Sequence, residues 1–146
     1  MRVSMVPKDL LHTCWEQIEG YLEKAAEYTY GRYTVEDIKD CITDYDHDLW
    51  VAYKNEESGI EFYGAVVTSI DSYPRKKVLA MHFTGGKELS EWKDLMLKFL
   101  REWAQDNHCD CIESTGRSGW AKVFKDDGYA QICTTYELPV GGNVDG

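Results

Sequence analysis

Two side chains near the ends of predicted strands could accept a proton. His82 lies near the end of a predicted strand over 77–83, and Glu113 near the end of another over 109–114. An imidazole has an unperturbed pKa of about 6.5, so His82 can act as a base near neutral pH, and a suitably placed carboxylate can do the same. The structural alternatives are a sheet-end histidine with a satisfied hydrogen bond and a glutamate on a solvated strand edge.

A glycine-rich segment, Thr84-Gly85-Gly86-Lys87, follows the predicted strand that carries His82. A turn whose backbone N–H groups open a helix can bind a phosphate group, and Lys87 would add a cation. Glu88 follows directly and would repel an anion. The alternative is that Gly85 and Gly86 only allow the chain to turn.

A second anion-binding candidate is Arg117, in the segment Gly116-Arg117-Ser118-Gly119-Trp120. A guanidinium that two glycines hold at the start of a short helix suits bidentate binding of a phosphate or carboxylate. The alternative is that the glycines shape a loop, Trp120 fills the core and Arg117 pairs with a surface acid.

The elements that must position these residues can be predicted from periodicity. Apolar residues recur every three or four positions over 7–30, which predicts a long amphipathic helix. Thr34 with Asp37 predicts the start of a second helix. Strands are predicted at 49–54, 60–70 and 77–83, followed by a glycine turn, a long helix from Leu89, a strand at 109–114, a short helix at 118–125 and a strand at 129–138.

This order predicts an α+β fold with a mixed, mainly antiparallel sheet flanked by helices. The first three strands are joined by short turns and form an antiparallel meander. The long helix lies between two strands, which predicts a right-handed crossover and parallel pairing. We expect a single domain over 1–140 and a flexible tail over 141–146.

Composition limits the class of protein. The 146 residues include 16 Lys and Arg against 26 Asp and Glu, a net charge of −10, and 43% are hydrophobic. Such a chain can form a packed core, and its charge argues against general nucleic-acid binding. No apolar run approaches the roughly 20 residues of a membrane helix, and no secretory signal opens the chain. Five scattered cysteines favour a reducing, cytoplasmic location.

Metal sites and several enzyme classes find little support. His108-Cys109-Asp110-Cys111 lacks a second ligand pair, so buried strand cysteines are the better interpretation than zinc. The acidic segment 43–48 lacks the ligand spacing of a calcium loop and is predicted to be solvated. No hydrolase, metalloprotease or nucleotide-binding motif occurs in the sequence.

The element order, together with the stretch from Gly119 to Tyr129, resembles the GNAT superfamily of acyl-CoA-dependent N-acyltransferases. Within it the chain is most similar to a phage-associated group of small GNAT-like proteins. The residues that carry this likeness are Leu49-Trp50, Thr84-Gly85-Gly86, Trp92, Gly116-Arg117-Ser118-Gly119-Trp120 and Gly128-Tyr129.

The resemblance implies acetyl-CoA or another acyl-CoA as co-substrate, no metal, and an amine on a small molecule or protein as acceptor. It implies that the CoA pyrophosphate binds at Phe83, Thr84, Gly85, Gly86 and Lys87, that His82 or Glu113 deprotonates the amine, and that Arg117 binds substrate or an anion. GNAT enzymes often protonate the leaving thiolate with a tyrosine, and the corresponding position here is Phe124. Tyr129, another tyrosine or water would then replace it.

Two other functions stay open. A GNAT fold without catalysis could serve as a phage structural or host-interaction protein, because Phe124 cannot donate a proton and the glycine segment departs from the superfamily's phosphate loop. A transferase that modifies DNA bases is a remoter alternative, which the charge of −10 disfavours. For a phage protein we expect the host bacterial cytoplasm, or association with the virion.

Overall fold

The computed structural model describes residues 1–115 and 127–141. In the first of these ranges, five strands and three α-helices follow one another. In chain order they are β1 (Arg2–Val6), α1 (Trp15–Ala26), α2 (Val35–Asp44), β2 (Asp48–Glu56), β3 (Gly59–Ser72), β4 (Lys77–Gly86), α3 (Lys93–Asp106) and β5 (Cys111–Ser114). Short 3-10 helices lie at Lys8–Thr13, Glu27–Thr29 and Leu89–Glu91. None of the helices in the described residues is long and apolar enough to cross a membrane.

The predicted helix over 7–30 is divided into three pieces. A 3-10 helix precedes α1, and Cys14 between them has non-helical backbone angles. The apolar stripe is nevertheless as predicted, because Ile18 and Leu22 are fully buried. The helical run ends where Tyr30 and Gly31 both adopt positive φ angles, the conformation that commonly terminates a helix.

The start of α2 is confirmed in detail. The Thr34 hydroxyl accepts a hydrogen bond from the Asp37 backbone N–H at 3.3 Å, and the Asp37 carboxylate accepts one from the Thr34 backbone N–H at 2.9 Å. Each side chain therefore satisfies a backbone donor that the first helical turn leaves unpaired.

The five strands form one sheet in the order β1-β2-β3-β4-β5. The meander of β2, β3 and β4 is antiparallel, and β5 pairs parallel to β4, as predicted. β1 was not predicted and pairs antiparallel with β2, Val3 lying opposite Ala52. These five strands therefore confirm the predicted mixed, mainly antiparallel sheet and add β1 at its edge.

The two faces of the sheet pack against different helices. Leu49, Val51 and Val67 belong to the core that α1 and α2 complete. Side chains alternate along a strand, so Trp50 faces the other way, where its ring meets Trp103 of α3 edge-on, with centroids 5.9 Å apart.

Two predictions about the sheet were wrong. Gly85 and Gly86 do not form a turn: they belong to β4 and lie opposite Ala65 and Gly64 of β3, because the ladder between these strands continues to that point. The predicted strand over 129–138 has no regular secondary structure. An alternating sequence forms a strand only where a neighbour supplies hydrogen-bond partners, and within the described residues no strand pairs with it.

The predicted element and domain boundaries after α3 can be compared with the structure only where its residues are described. The strand predicted over 109–114 begins at Cys111, and the predicted helix over 118–125 lies outside the described residues. Residues Met1–Gly116 and Arg117–Gly146 form two compact units. The described part of the second unit is mostly exposed. The single domain over 1–140 with a tail over 141–146 stays a prediction.

Two glycines allow a matched test of packing in the sheet. A Cβ on Gly85 would collide with the backbone oxygen of Tyr21 in α1, whereas a Cβ on Gly20 would meet nothing within 4 Å. We expect Gly85→Ala to destabilise the protein by about 1–3 kcal/mol through overpacking. Gly20→Ala in α1 is expected to stabilise it by about 0.5–1 kcal/mol. Urea denaturation measures the unfolding free energy of both variants. Equal changes in Gly85→Ala and Gly20→Ala would contradict the close contact between Gly85 and Tyr21.

Candidate active site

His82 is the extra residue of a β-bulge in β4. Val67 lies opposite Phe83 and Thr68 opposite Met81, so His82 has no register partner in β3. The bulge turns two consecutive side chains, His82 and Phe83, toward the face that α1 and α2 cover. Phe83 is buried in the core there, and His82 meets the loop between α2 and β2.

His82 also lies directly beyond the point where β4 and β5 stop pairing. The parallel pairing runs from Val78 and Cys111 to Met81 and Ser114, and the Thr115 N–H donates to the Met81 carbonyl at 3.4 Å. β4 continues to Gly86 without a strand on that side, as far as residues 1–115 and 127–141 show. We call residues 82–86 on this side the unpaired edge of β4.

The unpaired edge carries backbone groups that can bind an extended ligand. The Lys87 N–H donates to the Tyr63 carbonyl of β3 at 2.8 Å. Because backbone groups alternate between the two sides of a strand, those of Thr84 and Gly86 face the unpaired edge. A strand edge of this kind binds amide-containing chains by adding them as a further strand.

A hydrogen-bonded series leads from His82 into the sheet. The Ser69 hydroxyl lies 2.6 Å from Nε2 of His82 and donates to Oδ1 of Asp71 at 2.8 Å. The ring of His47 lies beside that of His82, with centroids 4.8 Å apart and planes inclined by 32°. Within the described residues, Nδ1 of His47 is buried without a hydrogen-bond partner.

Both histidines are held toward the neutral form. Burial lowers the pKa of His82, and His47 lowers it further, against Asp71 and Glu113, which raise it. Burial also lowers the pKa of His47, with Lys8 acting in the same direction and Asp71 against it. A neutral imidazole is the form that accepts a proton, so this environment suits a base at neutral pH.

Lys8 holds the loop that presents His47. Its Nζ donates to the carbonyls of Ile42 at 2.6 Å, His47 at 2.8 Å and Tyr45 at 3.2 Å. A lysine at the end of a helix commonly satisfies carbonyls that have no partner in the helix. Lys8 therefore joins the end of α2 to the start of β2, where His47 faces His82.

The two histidines predict a pH-dependent stability. A folded-state pKa below the unfolded value means that the unfolded chain binds more protons, so stability falls as the pH falls below about 6.5. Replacing His47 with Gln removes one such group and relieves His82 of a like charge. We expect the urea midpoint of His47→Gln to fall less between pH 7 and pH 5 than that of the wild type. His12→Gln, at an exposed histidine, is the control, and equal slopes for all three proteins would contradict the prediction.

Glu113 reaches the same cluster from β5. It lies opposite Ala80 of β4, and the Tyr73 hydroxyl donates to its Oε2 at 3.4 Å. Glu113 acts on the pKa of His82 and raises that of Tyr73. The structure thus brings together the two candidate bases, His82 and Glu113, although their roles stay predictions.

The candidate phosphate-binding residues are arranged less favourably. Lys87 is engaged in an ion pair with Glu61 at 2.6 Å, and its Nζ lies 4.8 Å from the centre of the Tyr63 ring. The hydrogen bond to Glu61 raises the pKa of Lys87. Phe83 is buried and offers no side chain to a ligand. Any contribution from these residues would come mainly from the backbone at Thr84 and Gly86.

Trp92 anchors the connection between β4 and α3. Its side chain is 2% exposed, and its indole N–H donates to the Lys87 carbonyl at 2.9 Å. A Cβ on Gly64 would collide with the ring, and a Cβ on Gly86 would lie 2.9 Å from it. Gly64 of β3 and Gly86 of β4 therefore make room for this tryptophan.

Ser69, Asp71 and His47 were not predicted as site residues from the sequence. Ser69 and Asp71 are two residues apart in β3, so the alternation of a strand could have placed them on one face. The bulge that turns His82 to the same face has no signal in the sequence. Arg117, Trp120 and Phe124, which the sequence singled out, lie outside the described residues.

The cysteines were only partly as predicted. Cys109 precedes β5 and is half-buried, and Cys111 is exposed. The expectation of buried strand cysteines was wrong for both: Cys109 lies before the strand, and Cys111 lies in β5, which within the described residues has a neighbouring strand on one side only. Among those residues, no group of three or more His, Cys, Asp or Glu side chains is placed to hold a metal ion.

Comparison with solved structures identifies the fold. The chain is similar to a probable acetyltransferase with a TM-score of 0.70, at 15% identity over 97% of this chain and 99% of the other. It is similar to a ribosomal-protein-alanine N-acetyltransferase from Brucella melitensis, with a TM-score of 0.65 at 11% identity over 96% and 100% of the two chains. An acetyltransferase from Trypanosoma brucei gives a TM-score of 0.63 at 10% identity over 95% and 99%.

These similarities show that the chain has the GNAT acetyltransferase fold. No protein-family model and no curated protein matches the sequence. The likeness therefore concerns the course of the backbone, and the chemistry of this chain has to be argued from its own residues.

Proposed function

From the GNAT fold and the position of His82, we propose that the protein transfers an acetyl group from acetyl-CoA to an amine. The observation that carries the proposal is that His82 lies at the start of the unpaired edge of β4, two residues beyond Ala80, which Glu113 of β5 faces across the sheet. The unpaired edge suits an extended, amide-containing ligand, and the histidine suits removal of a proton. Acetyl transfer from acetyl-CoA to an amine needs both, because CoA carries an extended arm with amides and the attacking amine must lose a proton.

The unpaired edge fits one part of acyl-CoA well. The pantetheine arm contains two amides, which can pair with the backbone groups of Thr84 and Gly86 as a further strand would. The pyrophosphate fits less well, because Lys87 is paired with Glu61 and Glu88 adds a negative charge. Backbone N–H groups would then carry most of the phosphate binding.

In the proposed reaction the amine attacks the thioester carbonyl, and His82 accepts the proton that the nitrogen loses. The C–N bond forms and the C–S bond breaks, which releases the CoA thiolate. The thiolate takes a proton from the imidazolium of His82 or from water. Glu113 raises the pKa of His82, which strengthens it as a base.

Calorimetry with acetyl-CoA tests the proposal. We expect saturable binding, with ATP at the same concentration as a control for unspecific phosphate binding. Transfer is then measured as acceptor-dependent release of CoA over a panel of amines, including lysine-containing peptides and diamines. Absence of acetyl-CoA binding at millimolar concentration would overturn the proposal.

The ion pair at Lys87 makes a directional prediction about binding. Glu61→Gln frees the Lys87 ammonium and removes a negative charge nearby, so we expect acetyl-CoA to bind about two to five times more tightly. Glu56→Gln, at an exposed glutamate of β2, is the matched control. Unchanged affinity in Glu61→Gln would show that Lys87 does not contact the CoA phosphates.

The ion pair also supports a second candidate function. A protein that keeps the fold but no longer binds CoA could be a phage structural or host-interaction protein. It would be indifferent to acetyl-CoA and would co-purify with a partner or a virion. Turnover of any amine acceptor would exclude this candidate. The likeness to phage-associated proteins stays a prediction.

A further inference from the structure

The hydrogen bonds of Ser69 allow one arrangement of protons. Its hydroxyl donates to Oδ1 of Asp71 at 2.8 Å and lies 2.6 Å from Nε2 of His82. A serine hydroxyl has a single proton, and a carboxylate can only accept. Because that proton is directed to Asp71, the bond to His82 forms only if Nε2 carries a hydrogen and donates it to Ser69.

We propose that Ser69 and Asp71 are positioning residues that hold His82 in the tautomer protonated at Nε2 and leave Nδ1 as the atom that accepts a proton. The inference rests on the proposed function, in which His82 is the base. In this arrangement Nδ1 of His82 accepts the proton, and Ser69 and Asp71 act through His82 without touching the substrate themselves. The opposite tautomer would direct the serine proton to His82 and leave two acceptors, Ser69 Oγ and Asp71 Oδ1, facing each other at 2.8 Å.

The surroundings of Ser69 favour its hydrogen bonds to His82 and Asp71. Ser69 is 5% exposed, so water does not compete for its hydroxyl. The alternation of β3 places Asp71 on the same face as Ser69, and the bulge in β4 turns His82 to that face. A buried serine with two polar partners fixes a ring orientation more firmly than solvent could.

The charged groups that face His82 come from three elements. Asp71 of β3 and Glu113 of β5 favour the imidazolium, and His47 from the loop between α2 and β2 opposes it. Lys8, Asp46 and Asp48 act on His47. Removing the charge of Asp71 therefore lowers the pKa of His82 and weakens it as a base.

Nitrogen-15 NMR of the imidazole rings tests the tautomer without any substrate. In the wild type we expect His82 to carry its proton on Nε2, with slow exchange against water. Ser69→Ala should lose this protection, and Ser69→Thr, which keeps a hydroxyl, should restore it. Asp71→Asn should lower the pKa of His82. Ser72→Ala, at an exposed serine of the same strand, should leave both the proton exchange at Nε2 and the pKa of His82 unchanged.

The pH profile supplies an independent readout. In Asp71→Asn we expect the acidic limb of kcat/KM to move to lower pH and the plateau of kcat to fall about tenfold, with KM for acetyl-CoA unchanged. Ser69→Ala should lower kcat by a similar factor. If Ser69 and Asp71 had a purely structural role, their variants would have a lower thermal midpoint, but the acidic limb of kcat/KM would stay at the same pH.

The outcomes separate the two proposals. A wild-type His82 protonated at Nδ1, or a Ser69→Ala protein with unchanged exchange at Nε2, would overturn the positioning of His82. If the NMR results are as expected and the wild type transfers to no amine, the proposed function fails while the tautomer assignment is supported. If Ser69→Ala does not fold, Asp71→Asn decides, and an unchanged pKa of His82 in that variant would overturn the inference.

Discussion

Replacing His82 with glutamine is expected to lower kcat for acetyl transfer about 100- to 1000-fold. A positioned general base contributes roughly that range, and glutamine has no group that can accept the proton. Its side-chain amide still offers an N–H to Ser69, so the fold of the bulge should be kept. The measurement is kcat and KM against pH at saturating acetyl-CoA. The acidic limb of the wild type, which reports the free base, should disappear in His82→Gln.

Two comparisons make this expectation specific. His12→Gln, at the exposed histidine of the first 3-10 helix, should keep wild-type rates. Glu113→Gln should lower the rate less than His82→Gln, because in the proposal Glu113 acts through the pKa of His82. A loss in Glu113→Gln larger than that in His82→Gln would identify Glu113 as the base. Wild-type rates in both variants would exclude both candidates.

Truncation of Trp92 is expected to have the largest effect on stability. The side chain is 2% exposed and packs on Gly64 and Gly86, so Trp92→Ala leaves a cavity that the two glycines cannot fill. The expected loss is about 3–5 kcal/mol of unfolding free energy. Denaturant unfolding measures it, with Trp50 and Trp103 retained as fluorescence reporters.

A second variant separates volume from hydrogen bonding at this position. Trp92→Phe keeps an aromatic ring but loses the indole N–H that donates to the Lys87 carbonyl. We expect a smaller loss of about 1–3 kcal/mol, because part of the packing is kept and the Lys87 carbonyl loses its donor. Leu89→Ala, at a half-buried neighbour, controls for general loosening of the segment. A loss in Trp92→Ala no greater than that in Leu89→Ala would contradict the anchoring role.

The helices and the meander could be predicted because their signals are local. The buried positions Ile18 and Leu22 follow the period of a helix, and the Thr34 and Asp37 pair is a complete capping box. The turns between β2, β3 and β4 are short, so adjacent strands pair with one another. β1 was missed because its five residues become a strand only through pairing with β2, which lies more than forty residues away in the sequence.

The candidate site was predicted only in part. His82 and Glu113 could be chosen by residue type and by their place near strand ends. Gly85 and Gly86 were misplaced because a glycine pair is a turn signal in isolation, whereas here the ladder with β3 extends through both. The small size of these glycines serves contact with Tyr21 and Trp92 rather than a turn.

What the sequence by itself determined is the α+β element order, the acidic surface and the types of residue that could bind anions or accept protons. These depend on periodicity, capping and charge, which act over a few residues. Only the tertiary structure decided that His82 meets Ser69 and His47 and that Lys87 meets Glu61. Those contacts depend on a bulge, on strand register and on a loop that Lys8 holds, and a one-residue change of register would turn the same side chains to opposite faces.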